Sequence, residues 1–406
     1  MKHPTHHIFD FTPETLAAWC EARRMPRFRA AQVLEWVYAK GIADPAAMSN
    51  LSKLDREALA RDMTFLSGEV LRHLRATDGT QKLLVEWDDF ASTPPVRTTP
   101  TTPPEAPNDP RPDGRRTLSL AQATGPVGDP SRQTECVMIP SLPRDDDDGD
   151  APGEPAGTAR FTACISSQVG CPVGCKFCAS GLTGLDHNLS AGRIVEQVWR
   201  LARLPGVRRI TNVVFMGMGE PLSNLAAVVP AVRTLNAPWG MGISARKITI
   251  STVGLPKAIE KLAAQLDLPV TLALSLHAPD DETRRRLIPW AEYTTIADLL
   301  GACRAWFEKT GREITLEYTL LRGVNDSPAQ AAALAAIAKT LRANVNLIRY
   351  NEVGGLPFQR PQTEDVRAFQ RVLREAGVNA HIRASRGRDI AAACGQLRHE
   401  NAAKSV

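Results

Sequence analysis

The first clues in this 406-residue sequence are absences. No apolar run approaches the roughly 20 residues that a helix needs to cross a bilayer, so no membrane-spanning helix is expected. Met1-Lys2-His3-Pro4-Thr5-His6-His7 is followed by no apolar stretch of the kind that directs secretion. Strong charge is lacking as well: 49 Lys and Arg against 44 Asp and Glu leave +5, which is compatible with an RNA partner without demanding one. What is present is ordinary for a folded protein, with 43% hydrophobic residues and enough length for two folded units or one large one with extensions. Eight cysteines in such a chain suit a reducing cytoplasm better than a disulfide scaffold, so a soluble cytoplasmic protein is expected.

A further absence concerns those cysteines. Cys171, Cys175 and Cys178 follow a C-x3-C-x2-C spacing in one loop, Cys171-Pro172-Val173-Gly174-Cys175-Lys176-Phe177-Cys178, with no second pair elsewhere. Structural zinc sites ordinarily draw on two separated pairs, and protein [4Fe–4S] clusters on four thiolates. Three thiolates therefore favour a cluster with one open iron, where a small molecule can bind and be activated. A zinc knuckle and inert buried thiols are the alternatives. Phe177 is placed to shield such a cluster from water.

Along the chain, Thr12-Pro13-Glu14 reads as a helix N-terminus, Phe28–Lys40 as a second helix stopping at Gly41, and Ser52 as the cap of a third with Asp55 at N3. Arg23, Arg24, Arg27 and Arg29 lie between the first two helices, either a solvated face or phosphate contacts. Residues 68–74 and 82–87 alternate around Asp78-Gly79 as a hairpin. A Pro/Thr-rich insert at about 88–132 and a second polar stretch holding the acidic run Asp145–Asp148 are expected to be loops, with a short strand at 135–140 between them. From Phe161, apolar β-branched runs at 162–167, 210–215, 247–251, 270–276, 313–320 and 344–347 alternate with helical patterns such as 190–204, 296–308 and 329–341. A short strand at 380–384 follows. Six β/α units predict an α/β fold with a parallel sheet, open or curled into a partial barrel, working at the C-terminal ends of its strands.

Polar residues gather at those ends. Gly217-Met218-Gly219-Glu220-Pro221 follows the second strand, Ser251 ends the third, Ser275-Leu276-His277 the fourth, and Asn351 follows the sixth. Each is weak alone; together they describe a polar pocket beside the cysteine loop. By spacing alone Cys20, Cys136, Cys164, Cys303 and Cys394 read as inert, buried thiols.

The cysteine triad with its downstream Gly-Glu-Pro resembles the radical S-adenosylmethionine superfamily. Cys164-Ile165-Ser166-Ser167-Gln168-Val169-Gly170-Cys171, Gly217–Leu222, Ser275–Pro279 and Arg386–Leu397 are similar to the RlmN/Cfr family of RNA adenine methyltransferases, as is Phe28-Arg29-Ala30-Ala31-Gln32-Val33. The resemblance spans nearly the whole chain except the two polar inserts. It implies a partial (β/α)6 radical SAM barrel over 161–398, a small N-terminal helical RNA-binding domain over 1–66, a strand linker carrying the hairpin and inserts over 67–160, and a tail at 399–406. It implies that Cys171, Cys175 and Cys178 hold a [4Fe–4S] cluster, with S-adenosylmethionine on the open iron among Gly219, Glu220, Ser251, Ser275, Leu276, His277 and Asn351. Cys394 would carry the methyl group, Cys164 would release the product through a transient disulfide, and Glu135 would accept the C2 proton. The implied activity is methylation of adenine C2 in 23S rRNA and in tRNA, at two S-adenosylmethionine per turnover, by a monomer fed by an electron donor such as flavodoxin. Methylation at C8 in the related group is the nearest alternative, and a non-enzymatic iron–sulfur carrier or RNA-binding module the alternative from another class. Ile288-Pro289-Trp290-Ala291-Glu292-Tyr293 departs from relatives in lacking an Asn-Lys pair.

Overall fold

The computed structural model describes residues 4, 6–88, 128–141 and 160–397. The acidic run Asp145–Asp148, most of the Pro/Thr-rich insert and the tail lie outside the described residues. Strand β1 (His6–His7) pairs in parallel with β2 (Met63–Thr64), closing a unit of three helices: α1 (Pro13–Glu21), α2 (Arg29–Leu34) and α3 (Lys53–Asp62). Their starts follow the capping logic of the sequence. Thr12 accepts from Thr15 N in a reciprocal capping box with Pro13 at the first position, and Ser52 accepts from Asp55 N. The second helix is shorter than the 28–40 pattern implies, because Glu35–Ala39 widens into a π-turn before Gly41.

The chain then builds one ten-stranded sheet. Strands β3 (Gly68–Arg75), β4 (Gln81–Trp87) and β5 (Gln133–Pro140) run antiparallel, and β6 (Phe161–Cys164) pairs antiparallel with β5. A small hairpin of β7 (Gln168–Gly170) and β8 (Leu185–Asn188) brackets the cysteine loop. Next come α4 (Ala191–Leu201), β9 (Asn212–Phe215), α5 (Leu225–Asn236), β10 (Ile248–Thr252), α6 (Pro256–Gln265), β11 (Thr271–Ser275), α7 (Asp281–Leu287), α8 (Ile296–Thr310), β12 (Ile314–Leu320), α9 (Pro328–Lys339), β13 (Ala343–Arg349), α10 (Thr363–Glu375) and β14 (Ala380–Arg383). Strand order is β14-β13-β12-β11-β10-β9-β6-β5-β4-β3, parallel from β14 to β6 and antiparallel beyond. The parallel strands form the open β/α arrangement expected of a partial barrel, with helices supplying the crossovers.

Two features of this layout go beyond the sequence patterns. The hairpin does not stand apart as a connector but forms the far edge of the barrel sheet. The N-terminal unit likewise shares a continuous apolar core with the barrel, where Phe9 meets the rings of Tyr38 and Trp199 and Trp199 Nε1 donates to Val37 O. A buried carboxylate at this joint, Glu196 of α4, accepts from His7 Nε2 at 3.0 Å, Ser67 N at 2.9 Å, Gly68 N at 3.2 Å and Arg200 Nε at 2.8 Å. Burial alone would raise its pKa, but these donors, His7 first, hold it down at about 2. No described helix is long and apolar enough to cross a membrane.

Candidate active site

The cysteine loop leaves the barrel after β7. Cys171 N donates to Gly184 O at 2.7 Å, Cys178 N to Cys175 O at 3.1 Å and Lys176 N to Leu287 O at 3.0 Å, which ties the loop to itself and to the end of α7. Val173, Phe177, Leu287, Ile288 and Tyr350 form an apolar cup around the three half-buried thiols. Burial, then neighbouring thiols and Glu220, raise the pKa of Cys175 well above that of a free thiol, and burial also raises Cys171 and Cys178. Such thiols stay protonated until something displaces the protons, as a metal does.

The donor set can be tested against the iron–sulfur group that the motif implies. Among the described residues no three His, Cys, Asp or Glu side chains converge on a single metal ion; a cubane, bound at separate corners, asks for a wider spread. Positive charge is in place for an anionic group. Arg284 of α7 is buried beside Cys175 and donates to carbonyl oxygens, Leu276 O at 3.3 Å and Val253 O at 2.5 Å. Burial lowers its pKa to about 10, so it remains charged at neutral pH. Tyr350 Oη is buried near Cys178. The residues fit the group.

The strand-end residues surround this loop, with two surprises. Gly219 has φ +101°, and a Cβ there would sit 2.6 Å from Gln168 Cβ, so only glycine lets the turn press against β7. Both carboxylate oxygens of Glu220 are already engaged, Oε1 by Leu222 N at 2.9 Å and Oε2 by Val253 N at 2.8 Å. The resemblance places this carboxylate among the contacts to S-adenosylmethionine; in the structure it first braces two turns. Burial raises its pKa to about 7 despite those donors. Ser251 and Ser275 face each other at 3.3 Å between their hydroxyls, and Leu276 is fully buried behind them. His277 has φ +56°, accepts from Thr319 N through Nδ1 at 3.0 Å and meets the ring of Phe177 at 5.1 Å. Burial, with Arg284 adding repulsion, lowers its pKa to about 3, leaving a neutral ring whose Nε2–H is the remaining donor. Asn351 is the other surprise. Its amide donates to Cys394 O at 3.1 Å and accepts from Arg360 at 3.0 Å, which makes it a brace for the cysteine-bearing segment.

That segment, 386–397, folds over the barrel mouth. Ala179 N donates to Gly395 O at 2.8 Å and Ser180 Oγ to Leu397 O at 2.5 Å, linking it to the triad loop. Its inner residues Ala392 and Leu397 pack on Val137, Cys164 and Met218. Cys394 is reachable by solvent yet sits close among protein groups, as at the floor of a cleft. Burial and then Glu317 raise its pKa, and the nearness of Cys394 contributes to the raised pKa of the fully surrounded Cys164. Glu135 joins this group from β5, with Oε1 2.6 Å from Lys82 Nζ. Five sequence-remote residues are thus gathered: Lys82, Glu135, Cys164, Met218 and Cys394.

Residues 165–335 match the family model of the radical SAM superfamily, and residues 6–64 that of the ribosomal RNA large subunit methyltransferase N-terminal domain. A protein of Salinibacter ruber described as a probable dual-specificity RNA methyltransferase RlmN is 40% identical, over 92% of this chain and 89% of its own length. The dual-specificity RNA methyltransferase RlmN of Syntrophobacter fumaroxidans is 37% identical over 96% and 97%. The chain belongs to the RlmN family. A radical SAM methyltransferase from Sphaerobacter thermophilus superposes with a TM-score of 0.80 at 37% identity, covering 97% of this chain and all of that one. Membership in the radical SAM superfamily implies a [4Fe–4S] cluster and S-adenosylmethionine.

Three residues of this RlmN-family site escaped the sequence reading: Arg284, Glu317 and Lys82. Each is a charged side chain almost completely buried, which is rare without a partner or a task. Lys82 lies in a strand of mixed polar and apolar residues, Gln81–Trp87, where nothing local marks it. Among the arginines between the first helices, Arg23 is paired with Asp62 at 2.9 Å and Arg29 with Asp55 at 3.0 Å, so these two serve the local fold; Arg27 meets Glu21 only loosely at 3.6 Å.

Proposed function

We propose that this protein methylates C2 of adenine in 23S rRNA and in tRNA, with Cys394 as the methyl carrier. The observation that carries this reading is the meeting of Cys164, Cys394 and Glu135 beside the triad loop, from three separate stretches of chain. When bound, the cluster and S-adenosylmethionine, two molecules of the latter per turnover, supply the methyl group and the one-electron chemistry that the electrophilic C2 position requires. The chain's own residues direct that chemistry. Cys394 gives up its proton and receives the methyl group on sulfur. The apolar cup and the 386–397 segment keep water from the reacting carbon while Cys394 joins that carbon to C2 of a base drawn out of its stack. Glu135 takes the C2 proton. The Cys164 thiolate then attacks Cys394 sulfur, the sulfur–carbon bond breaks as the disulfide forms, and the released carbon takes up a proton to complete the methyl group, the disulfide being a transient linkage of the kind that occurs in cytosolic catalysis. Gly219, Glu220, Ser251, Ser275, Leu276, His277 and Asn351 shape the S-adenosylmethionine pocket. Residues 1–66 form the RNA-binding unit, and the enzyme works in the cytoplasm as a monomer fed by a flavodoxin-type donor.

The test is anaerobic reconstitution with reductant, S-adenosylmethionine and either rRNA or tRNA, followed by mass spectrometry of the adenosines. 2-Methyladenosine in both RNAs is expected. An intact cluster with no methylated adenine refutes the reading, and 8-methyladenosine moves the chemistry to the other ring carbon.

A further inference from the structure

The reaction as outlined makes no use of the most deeply buried lysine at the site. Lys82 is 3% exposed on β4, and its Nζ lies 2.6 Å from Glu135 Oε1 and 3.1 Å from Ala391 O. Sheet register explains the first contact. Leu84 stands opposite Glu135 and Lys82 opposite Val137, so Lys82 and Glu135 share a face and meet along the diagonal between neighbouring strands. Val137 in turn stands opposite Cys164 on β6, which puts all of these side chains on the face that the Cys394 segment covers.

The second contact lands where that segment is most constrained. Ala391 has φ +50°, unusual for a residue with a Cβ, and lies three positions before Cys394. The hairpin holds the same segment twice more: Asp78 Oδ2 accepts from Gly387 N at 2.9 Å, and Asp389 Oδ2 accepts from Thr77 N at 2.9 Å. Two clasps at the turn already anchor the loop. The ammonium adds something different, a charge shared between the loop and the carboxylate.

We propose that Lys82 is a positioning residue for the methyl-transfer reaction: one ammonium group holds the Glu135 carboxylate and the Cys394 segment in fixed register, so that the C2 proton is removed once the base is joined to Cys394. The proposal rests on the functional reading above. A carboxylate buried without an opposite charge takes up a proton and can no longer accept one. Lys82 keeps Glu135 ionised until the base arrives. When the C2 proton reaches Glu135, the ion pair becomes a hydrogen bond from ammonium to carboxylic acid. Lys82 keeps its own protons, and nothing is oxidised or reduced there.

The experiment uses the reconstituted holoenzyme with RNA and follows two events separately, S-methylation of Cys394 by intact-protein mass and formation of methyladenosine. Lys82→Met, close in length but uncharged, is expected to S-methylate Cys394 within about twofold of the unaltered enzyme. Its methyladenosine formation falls roughly 100-fold, the scale of a lost proton acceptor, and a protein–RNA adduct still carrying its C2 hydrogen accumulates. RNA bearing 2-deuterioadenine shows a larger isotope effect on product formation than with the unaltered enzyme. Lys82→Arg retains the charge in a different shape and recovers most of the rate, within about tenfold. If Lys82→Met fails to fold, the arginine variant still decides, because the proposal requires its loss to fall on product and not on S-methylation. Normal methyladenosine formation by the methionine variant, or an equal loss of both events in either variant, overturns the proposal. An unaltered enzyme that makes no methyladenosine refutes the functional reading instead.

Discussion

The ten-stranded sheet has two halves that use β-structure in opposite ways. In the parallel half, from β14 to β6, functional side chains sit at strand ends and on the loops that leave them: the triad loop, Gly219-Glu220, Ser251, Ser275-Leu276-His277 and Asn351. In the antiparallel half they sit mid-strand on one face, as Lys82 and Glu135 do, with Cys164 on β6 at the border between the halves. Strand ends suit a ligand that must enter and leave, because backbone N–H groups are unpaired there. A strand face offers fixed spacing set by register. Under the proposed function, the difference gives cofactor handling to one half and the choice of reaction to the other.

That division can be broken most forcefully in the parallel half. Replacing Cys175 with Ala should abolish iron incorporation and reduce every product to background, with the fold retained, as judged by iron analysis and circular dichroism. Retention of S-adenosylmethionine cleavage by that variant would show that the triad is not the cluster site. At the border, Cys164→Ala should still cleave S-adenosylmethionine and S-methylate Cys394, yet stall as a covalent protein–RNA adduct visible by denaturing electrophoresis. Normal release of product would remove Cys164 from the reaction.

Smaller effects sharpen the comparison by probing what joins and what braces the halves. Glu196→Ala strips one carboxylate from His7, Ser67, Gly68 and Arg200 at the seam between the N-terminal unit, the start of β3 and the barrel. Removing one partner of a buried ionic network costs about 3–5 kcal/mol, to be read from denaturant unfolding. A loss below about 1 kcal/mol, the worth of a surface pair, would mean that the seam is held by its apolar contacts alone.

The weakest effect is one of pH on the cluster-free protein. Glu220 has a folded pKa near 7, raised above the usual carboxylate value, so its contribution to stability is present below pH 4.5 and is lost as pH rises towards 7. His277 has a folded pKa near 3, below the usual imidazole value, so its contribution is present above pH 6.5 and is lost as pH falls towards 3. Between about 4.5 and 6.5 the slopes oppose, each about 1.4 kcal/mol per pH unit at most. Glu220→Gln should therefore become less stable on acidification through that window and His277→Asn less stable on alkalinisation. Parallel slopes in the two variants would contradict the protonation states assigned here.

The parallel half was the more legible in the sequence, for a physical reason. Strands buried on both faces read as unbroken apolar runs, and the ends of the observed β9 to β14 lie within two residues of those runs. Capping residues announced α1 and α3 in the same way. The hairpin was also visible as two alternating segments, but alternation does not say which sheet a strand joins, and its fusion to the barrel edge came only with the coordinates. Cys164 and Cys394 illustrate the limit most clearly. By burial statistics both are inert thiols, and their roles came from likeness to relatives; what the structure adds is their nearness to each other, to which no local pattern points. Lys82 went unnoticed because a lysine in a strand ordinarily faces water. The bracing contacts of Glu220 and Asn351 are not legible in a motif, since their backbone partners lie 2 to 43 residues away.

The connection between β4 and β5 spans residues 88–132, where a two-residue turn could have joined antiparallel neighbours. Closing so long a segment adds about 2 to 3 kcal/mol of entropy over a tight hairpin, since each doubling of length costs roughly 0.6 kcal/mol. Local pairs, β3 with β4 and each strand with its own helix, face no such delay. Lys82 thus lies on a locally paired hairpin, Glu135 reaches it only across those intervening residues, and the Cys394 segment rests on this pair of strands through Ala391 O on Lys82 and through Ala392 and Leu397 on Val137. What aims the reaction is therefore held by contacts between parts of the chain far apart in sequence, and so bears more loop-closure entropy than the cradle's own β/α units.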